Sequence, residues 1–284
     1  MLLTQKSTGI PKGRLAYNGK KTREWISRED KSSPTVHTES LMLTSAVDAH
    51  EGRDVMSLDV PNAYIQAELP AAKRGERVVM KIRGKLVDWL VQLAPDVYSR
   101  YIVYERGLPV LYLVIVKALY GMLEAGLHWY RKFRKDLEGI SFKFNPDDPC
   151  VANRMVSKGQ HTIRFHVDDV LSSHLNSKVN DEFAKWAQQK YGALKPVKVK
   201  RGKTHEFLGM TLDFSVKGEC HVRQERHVSD IISSWPKILD QSNKKALTPA
   251  SKTLFEKGEG LLLSNDRKEI FHRVVAKEIC AQSV

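Results

Sequence analysis

Phe165-His166-Val167-Asp168-Asp169-Val170 places two adjacent acids inside an apolar run. Neighbouring side chains of a strand point to opposite faces, so an unbroken strand here would bury one carboxylate. A buried, unpaired carboxylate is costly. A tight turn between two strands removes the conflict by lifting Asp168 and Asp169 to an exposed tip. There the pair reads either as solvated turn acids or as a site where a divalent cation offsets their repulsion. Asn145-Pro146-Asp147-Asp148-Pro149 holds a second pair, which reads as a turn with solvated acids.

Outward from this stretch, short apolar strands and amphipathic helices follow one another. Leu43, Ala46 and Val47 fall at helical spacing between Glu39 and His50, and Gly52 ends the pattern. Val55 to Val60 is a strand stopped by Pro61-Asn62. Val110 to Val116 reads as a buried strand. Leu127, Tyr130, Phe133 and Leu137 then repeat at helical steps, with Arg131, Lys132, Arg134 and Lys135 on the other faces. Strands at Val151 to Val156 and Thr162 to Leu171 flank a Lys158-Gly159 connection. Val179, Phe183, Trp186 and Ala187 make another helix, and Lys195 to Lys203 reads as a basic loop. Phe207 to Phe214 is a strand, and Val228 to Ser234 is a short helix that ends before Pro236. This order implies an α+β fold, a small antiparallel sheet with helices packed on one face.

Met56-Ser57-Leu58-Asp59-Val60-Pro61-Asn62-Ala63-Tyr64 adds a third acid at a strand end, with an aromatic residue five positions on. Alone, Asp59 reads as a capping residue. With Asp168 and Asp169 it completes a set of three carboxylates from two strands. Such oxygen donors suit two Mg²⁺ ions, and a pair of ions can activate a hydroxyl and stabilise a leaving pyrophosphate.

Lys and Arg number 46 against 33 Asp and Glu in 284 residues, a net charge of +13. That excess points to a polyanionic partner and says little about fold. The longest apolar run, Val110 to Val116, is too short to cross a bilayer, and residues 1–6 lack the features of a signal peptide. Cys150, Cys220 and Cys280 suit neither a disulfide framework nor a paired zinc site, so an intracellular setting, cytoplasmic or nuclear, is expected.

The arrangement resembles a family. Leu58 to Tyr64 is similar to the first catalytic motif of reverse transcriptases, and Phe165 to Val170 resembles their aromatic-x-Asp-Asp motif. Ala118-Leu119-Tyr120-Gly121 with Trp129-Tyr130 resembles the Leu-Tyr-Gly…Trp-Tyr block of Ty1/copia retrotransposons. Phe207-Leu208-Gly209-Met210 resembles the family's Phe-Leu-Gly-Ile block, and Gln224 matches a further copia-type position. Lys12-Gly13-Arg14-Leu15 and Ser33-Pro34-Thr35-Val36 look like its Lys-Ala-Arg-Leu segment and Pro-Val turn. The blocks keep family order across nearly the whole chain.

The resemblance implies a right-hand polymerase fold with an antiparallel palm sheet on helices and incomplete fingers. It implies RNA-directed DNA polymerase activity on an RNA or DNA template-primer with deoxynucleoside triphosphates, two Mg²⁺ ions (Mn²⁺ can substitute) and no membrane. Asp59, Asp168 and Asp169 match the catalytic, metal-binding acids. Arg14, Tyr64 and Gly121 match nucleotide-binding positions, with Arg14 on the triphosphate and Tyr64 beneath the incoming sugar. His166, Leu208 and Gly209 match primer or template positions. Arg131, Lys132, Lys198, Lys200 and Arg201 are candidates for template-primer phosphates. Residues 1–214 are expected to form fingers and palm, 215–250 the start of a thumb, and 251–284 a linker toward a missing ribonuclease H region.

The chain also departs from the pattern. His166 stands where the family has Tyr, and Met122-Leu123-Glu124-Ala125-Gly126 replaces Leu-Lys-Gln-Ala-Pro. The stretch before Lys12 is short for the family's lead-in. These departures suit a second expectation, a degenerate fragment that binds nucleic acid without polymerising. A metal-dependent nuclease using the same acids is a third.

Overall fold

The computed structural model describes residues 2–5, 9, 11–14, 16–24, 26–27, 29–70, 78–156, 159–234 and 264–282. They fall into two compact units, Met1–Gly202 and Lys203–Val284.

The first unit opens with an antiparallel pair, β1 (Leu2–Gln5) and β2 (Pro11–Arg14). Helix α1 (Thr38–Glu51) stops at Gly52, whose φ of 64° lets its N–H turn back onto the carbonyls of Ala49 and Asp48. Next come β3 (Asp54–Asp59), the single turn α2 (Ala63–Gln66), β4 (Val78–Arg83), α3 (Lys85–Leu93), α4 (Pro95–Tyr98), β5 (Val103–Glu105) and β6 (Leu108–Ile115). Helix α5 (Ala125–Glu138) precedes β7 (Lys143–Phe144), β8 (Val151–Val156), β9 (Gly159–His166) and β10 (Asp169–His174). Helix α6 (Ser177–Tyr191) and the edge strand β11 (Lys198–Lys200) complete the unit.

Six strands form one antiparallel sheet in the order β11-β3-β10-β9-β8-β7. Phe165 of β9 contacts Phe133 of α5 edge-on, with ring centroids 4.9 Å apart, and Trp129 of α5 lies 5.4 Å from Tyr191 of α6. Helices α5 and α6 therefore cover the Phe165 face. The adjacent Arg164 points the other way. Its guanidinium is fully buried and meets Asp48 of α1 at 2.6 Å and the Thr44 hydroxyl at 3.1 Å. Helix α1 therefore lies against the opposite face, which corrects the expectation of helices on one face only. The architecture is α+β with antiparallel sheets.

A buried polar chain fastens α6 to the sheet. The Arg154 guanidinium donates to His161 Nδ1, His161 Nε2 lies 2.7 Å from the Ser172 hydroxyl, and that hydroxyl donates to Asn180 of α6. Burial first, then nearby cationic charge, drives the His161 pKa down to about 3, so the ring is neutral.

Strands β4, β6 and β5 make a second sheet. Ile82 and Leu111, with Met80 and Leu113 beside them, pack on Val87, Leu86 and Leu90 of α3. Neither β4, β5, α3 nor α4 is expected from the patterns above. A second apolar cluster joins Ala67, Leu69, Ile115, Ala118, Met122 and Ala125, and Tyr17 and Tyr64 pack against it.

The second unit contains β12 (Thr204–Phe207), β13 (Met210–Asp213) and β14 (His221–Arg223) in that sheet order, then α7 (Glu225–Ser234) and α8 (Asn265–Gln282). Strands β12 and β13, expected with 1–214, belong to this unit. Residues 235–263, where the thumb-to-linker boundary was expected, lie outside the described residues. The strand expected over Phe207 to Phe214 is broken by Leu208-Gly209. Their φ values of 51° and 77° make a two-residue hairpin turn between Phe207 and Met210.

Asp148 is another correction. It is buried, not solvated, and accepts the backbone N–H of His37 and of Cys150, each at 2.9 Å. It thereby holds the residue that precedes α1. Among the described residues, no helix is long and apolar enough to cross a membrane.

Candidate active site

The strand expected over Thr162 to Leu171 is two strands, β9 and β10, joined by the two-residue turn Val167-Asp168. Val167 adopts φ 54°, a conformation unfavourable for a β-branched residue. Two hydrogen bonds hold it there. The Trp129 indole N–H donates to the Val167 carbonyl at 2.6 Å, and the Val60 N–H donates to the Asp168 carbonyl at 2.9 Å. Helix α5 and the end of β3 thus fix the turn that carries Asp168.

Register then assembles a row across the sheet. Asp169 pairs with His166 on one side and Asp59 on the other, and Asp59 pairs with Lys198. Directly opposed residues of antiparallel strands share a face. Lys198, Asp59, Asp169 and His166 therefore stand side by side at one end of the sheet, with Asp168 in the adjoining turn.

The electrostatics follow. Asp169 reaches solvent, yet partial burial of its carboxyl, with the charges of Asp168 and Asp59, pushes its pKa up to about 6, while Lys198 acts in the opposite direction. Burial lowers the His166 pKa against the pull of Asp168, and its Nδ1 is enclosed without a hydrogen-bond partner. The Lys198 ammonium is hydrogen-bonded to Asp59 Oδ2. Among the described residues, no group of three or more His, Cys, Asp or Glu side chains is arranged to hold a metal ion. The donor chemistry of the row does suit a hard cation, being carboxylate oxygens under mutual repulsion.

Tyr64 begins just past the Pro61-Asn62 turn, where Asn62 takes φ 52°. The ring is half-buried and lies 4.8 Å from that of Tyr120, at a tilt of 59°. Gly121, next to Tyr120, has φ 88°, and a Cβ there would collide with the Tyr17 carbonyl oxygen. The Tyr17 N–H in turn donates to the Tyr120 carbonyl at 2.7 Å. The close backbone approach at Gly121 is thus made by the chain's own residues around Tyr17. Gly121→Ala is expected to destabilise the first unit by at least about 2 kcal/mol, from overpacking and a left-handed backbone together. Denaturant unfolding checks this, and an unchanged midpoint would show that the contact is dispensable.

The remaining expected site residues are more dispersed. Arg14 ends β2, and its side chain lies outside the described residues. Lys132 is paired with Asp136 at 2.7 Å and lies over the Tyr191 ring. Arg131 and Lys132 line an open pocket of about 490 Å³ with Gln66, His128 and Lys135. Leu208 and Gly209 form the hairpin turn of the second unit. The expected basic loop contains β11. In it Lys198 holds Asp59, Lys200 is exposed opposite Ser57, and Arg201 is bound to Asp54 at 2.9 Å and Asp181 at 3.5 Å. Alternation in Lys198-Val199-Lys200 was the available signal for this strand.

The chain matches no protein-family profile and no curated protein. A solved structure of telomerase from Candida albicans, in complex with a TWJ fragment of telomeric RNA, aligns with 75% of this chain and 40% of its own, at 10% identity and a TM-score of 0.33. This chain thus spans well under half of that structure, and a likeness at this level carries no argument about fold or activity.

Proposed function

We propose that the chain is the catalytic core of an RNA-directed DNA polymerase of the Ty1/copia retrotransposon type, extending a primer 3′-hydroxyl on an RNA or DNA template. The observation that carries this reading is the register that sets Asp59 opposite Asp169, with Asp168 in the turn beside them. Asp59, Asp168 and Asp169 would hold two Mg²⁺ ions, or Mn²⁺, through carboxylate oxygens. Bound there, the ions supply Lewis-acid activation of the hydroxyl and neutralise charge on the departing pyrophosphate.

The chain's own contribution is positioning. Trp129 and Val60 fix the turn, so Asp168 and Asp169 need not reorganise as charge develops. Tyr64, braced on Tyr120, forms a wall for the sugar of a deoxynucleoside triphosphate. Arg14 serves the triphosphate and Gly121 the nucleotide. His166, Leu208, Gly209, Arg131, Lys132 and Lys200 serve primer and template. The net charge of +13 favours a polyanionic partner.

A second reading, a polymerase fold that binds nucleic acid without extending it, draws on the Lys198 contact to Asp59 and on Glu124, which replaces a Gln of the family pattern. A primer-extension assay with Mg²⁺ separates the readings. Extended primer supports the first, retained but unextended duplex supports the second, and shortened strands indicate a nuclease.

Selectivity tests Tyr64. Tyr64→Val is expected to lower the preference for deoxynucleotides by at least about tenfold, or roughly 1.4 kcal/mol of differential transition-state binding. If the ring only packs, its truncation costs about 3 kcal/mol of stability and lowers both activities together. Incorporation of deoxy- and ribonucleotides is measured side by side in protein shown to be folded. An active wild type with an unchanged ratio in the variant assigns Tyr64 to packing alone.

A further inference from the structure

We infer that Lys198 is the resident counter-ion of the acid row, and that a divalent cation reaches Asp59 by displacing it. The inference rests on reading the row as a cation site. Asp59 stands between two cross-strand neighbours, Asp169 on β10 and Lys198 on β11. Opposed carboxylates repel across a ladder, and the Lys198 ammonium on Asp59 Oδ2 supplies the opposite charge.

The contact is built to release. Strand β11 is three residues long, lies at the sheet edge and is exposed throughout. The Lys198 side chain is 63% exposed. An exposed ion pair is weak and screened by salt, and a lysine ammonium on its flexible stem moves away readily. A divalent ion brings twice the charge to the same oxygen. Arg201 differs: it is bound to both Asp54 and Asp181 and anchors β11 when Lys198 swings out. The site therefore has two states on an unchanged sheet, one closed by lysine and one loaded with a cation.

Mn²⁺ binding to the whole chain tests this, followed by the electron-spin signal of the free ion and independent of any turnover. Lys198→Met is expected to bind Mn²⁺ at least about fivefold tighter than wild type, because the competing charge is gone. Lys198→Gln is expected to do the same, so the result does not depend on one variant folding. Lys143→Met removes the same charge from β7 at the opposite edge, five strand spacings or about 24 Å away. Beyond the screening length in about 0.15 M salt, it is expected to bind within twofold of wild type. Equal or weaker binding by folded Lys198→Met and Lys198→Gln overturns the inference and leaves the site reading intact. Wild-type binding that survives Asp59→Asn unchanged overturns the site reading itself.

Discussion

Asp168→Asn is expected to abolish Mg²⁺-dependent primer extension, lowering it by at least about a hundredfold, or roughly 2.7 kcal/mol of barrier. The substitution removes one negative charge from the place where the cations would be held and leaves its shape unchanged. Asn suits a turn as well as Asp does. The backbone bonds that fix the turn, from Trp129 to Val167 and from Val60 to Asp168, involve main-chain carbonyls and survive the change. Loss of activity with duplex binding retained would therefore report on the carboxylate. Near-normal extension by the variant would remove Asp168 from the chemistry. Asp59→Asn should behave alike in extension, with one added effect, since it also deprives Lys198 of its partner.

Asp48→Ala is expected to cost about 3–5 kcal/mol of stability. Arg164 is fully buried on β9, and Asp48 is its counter-charge at 2.6 Å, with Arg53 a further 3.8 Å from the same carboxylate. Removing the acid strands a buried guanidinium between α1 and the sheet. The double variant Asp48→Ala with Arg164→Met should recover part of the loss, because an apolar pair avoids the desolvation that an orphaned charge suffers. Chemical unfolding of the four proteins completes the cycle. If Asp48→Ala alone costs under about 1 kcal/mol, the pair is not what joins α1 to this face.

The same residues show what the sequence carries and what it withholds. The acid pair marks where a strand over Thr162 to Leu171 conflicts with burial, and the structure resolves the conflict with a turn between two strands. The position of Asp59 at a strand end was readable from Pro61-Asn62. Register was not, since it depends on which strands become neighbours, and it is register that sets Asp59 beside Asp169 and Lys198. Asp148 looks like any solvated turn acid until the N-terminus of α1 is brought over it by tertiary packing. Leu208-Gly209 gives only half a signal: Gly209 permits a left-handed backbone, but Leu208, unlike Asn, does not announce one. The lysines of β11 read as a basic loop because charge obscures a strand three residues long.

The contact between Tyr17 and Tyr120 has a kinetic corollary. Its N–H···O bond closes a loop of about 100 residues. Pairing of Asp59 with Asp169 in the main sheet closes a loop of similar length, about 110 residues, so the two closures cost nearly equal chain entropy. The φ-value of a change at Gly121, read from refolding and unfolding rates, therefore orders them. A value near zero means that the clasp joins after the sheet and governs how long the folded state persists; a value near one means that it joins with the sheet and governs how fast that state is reached.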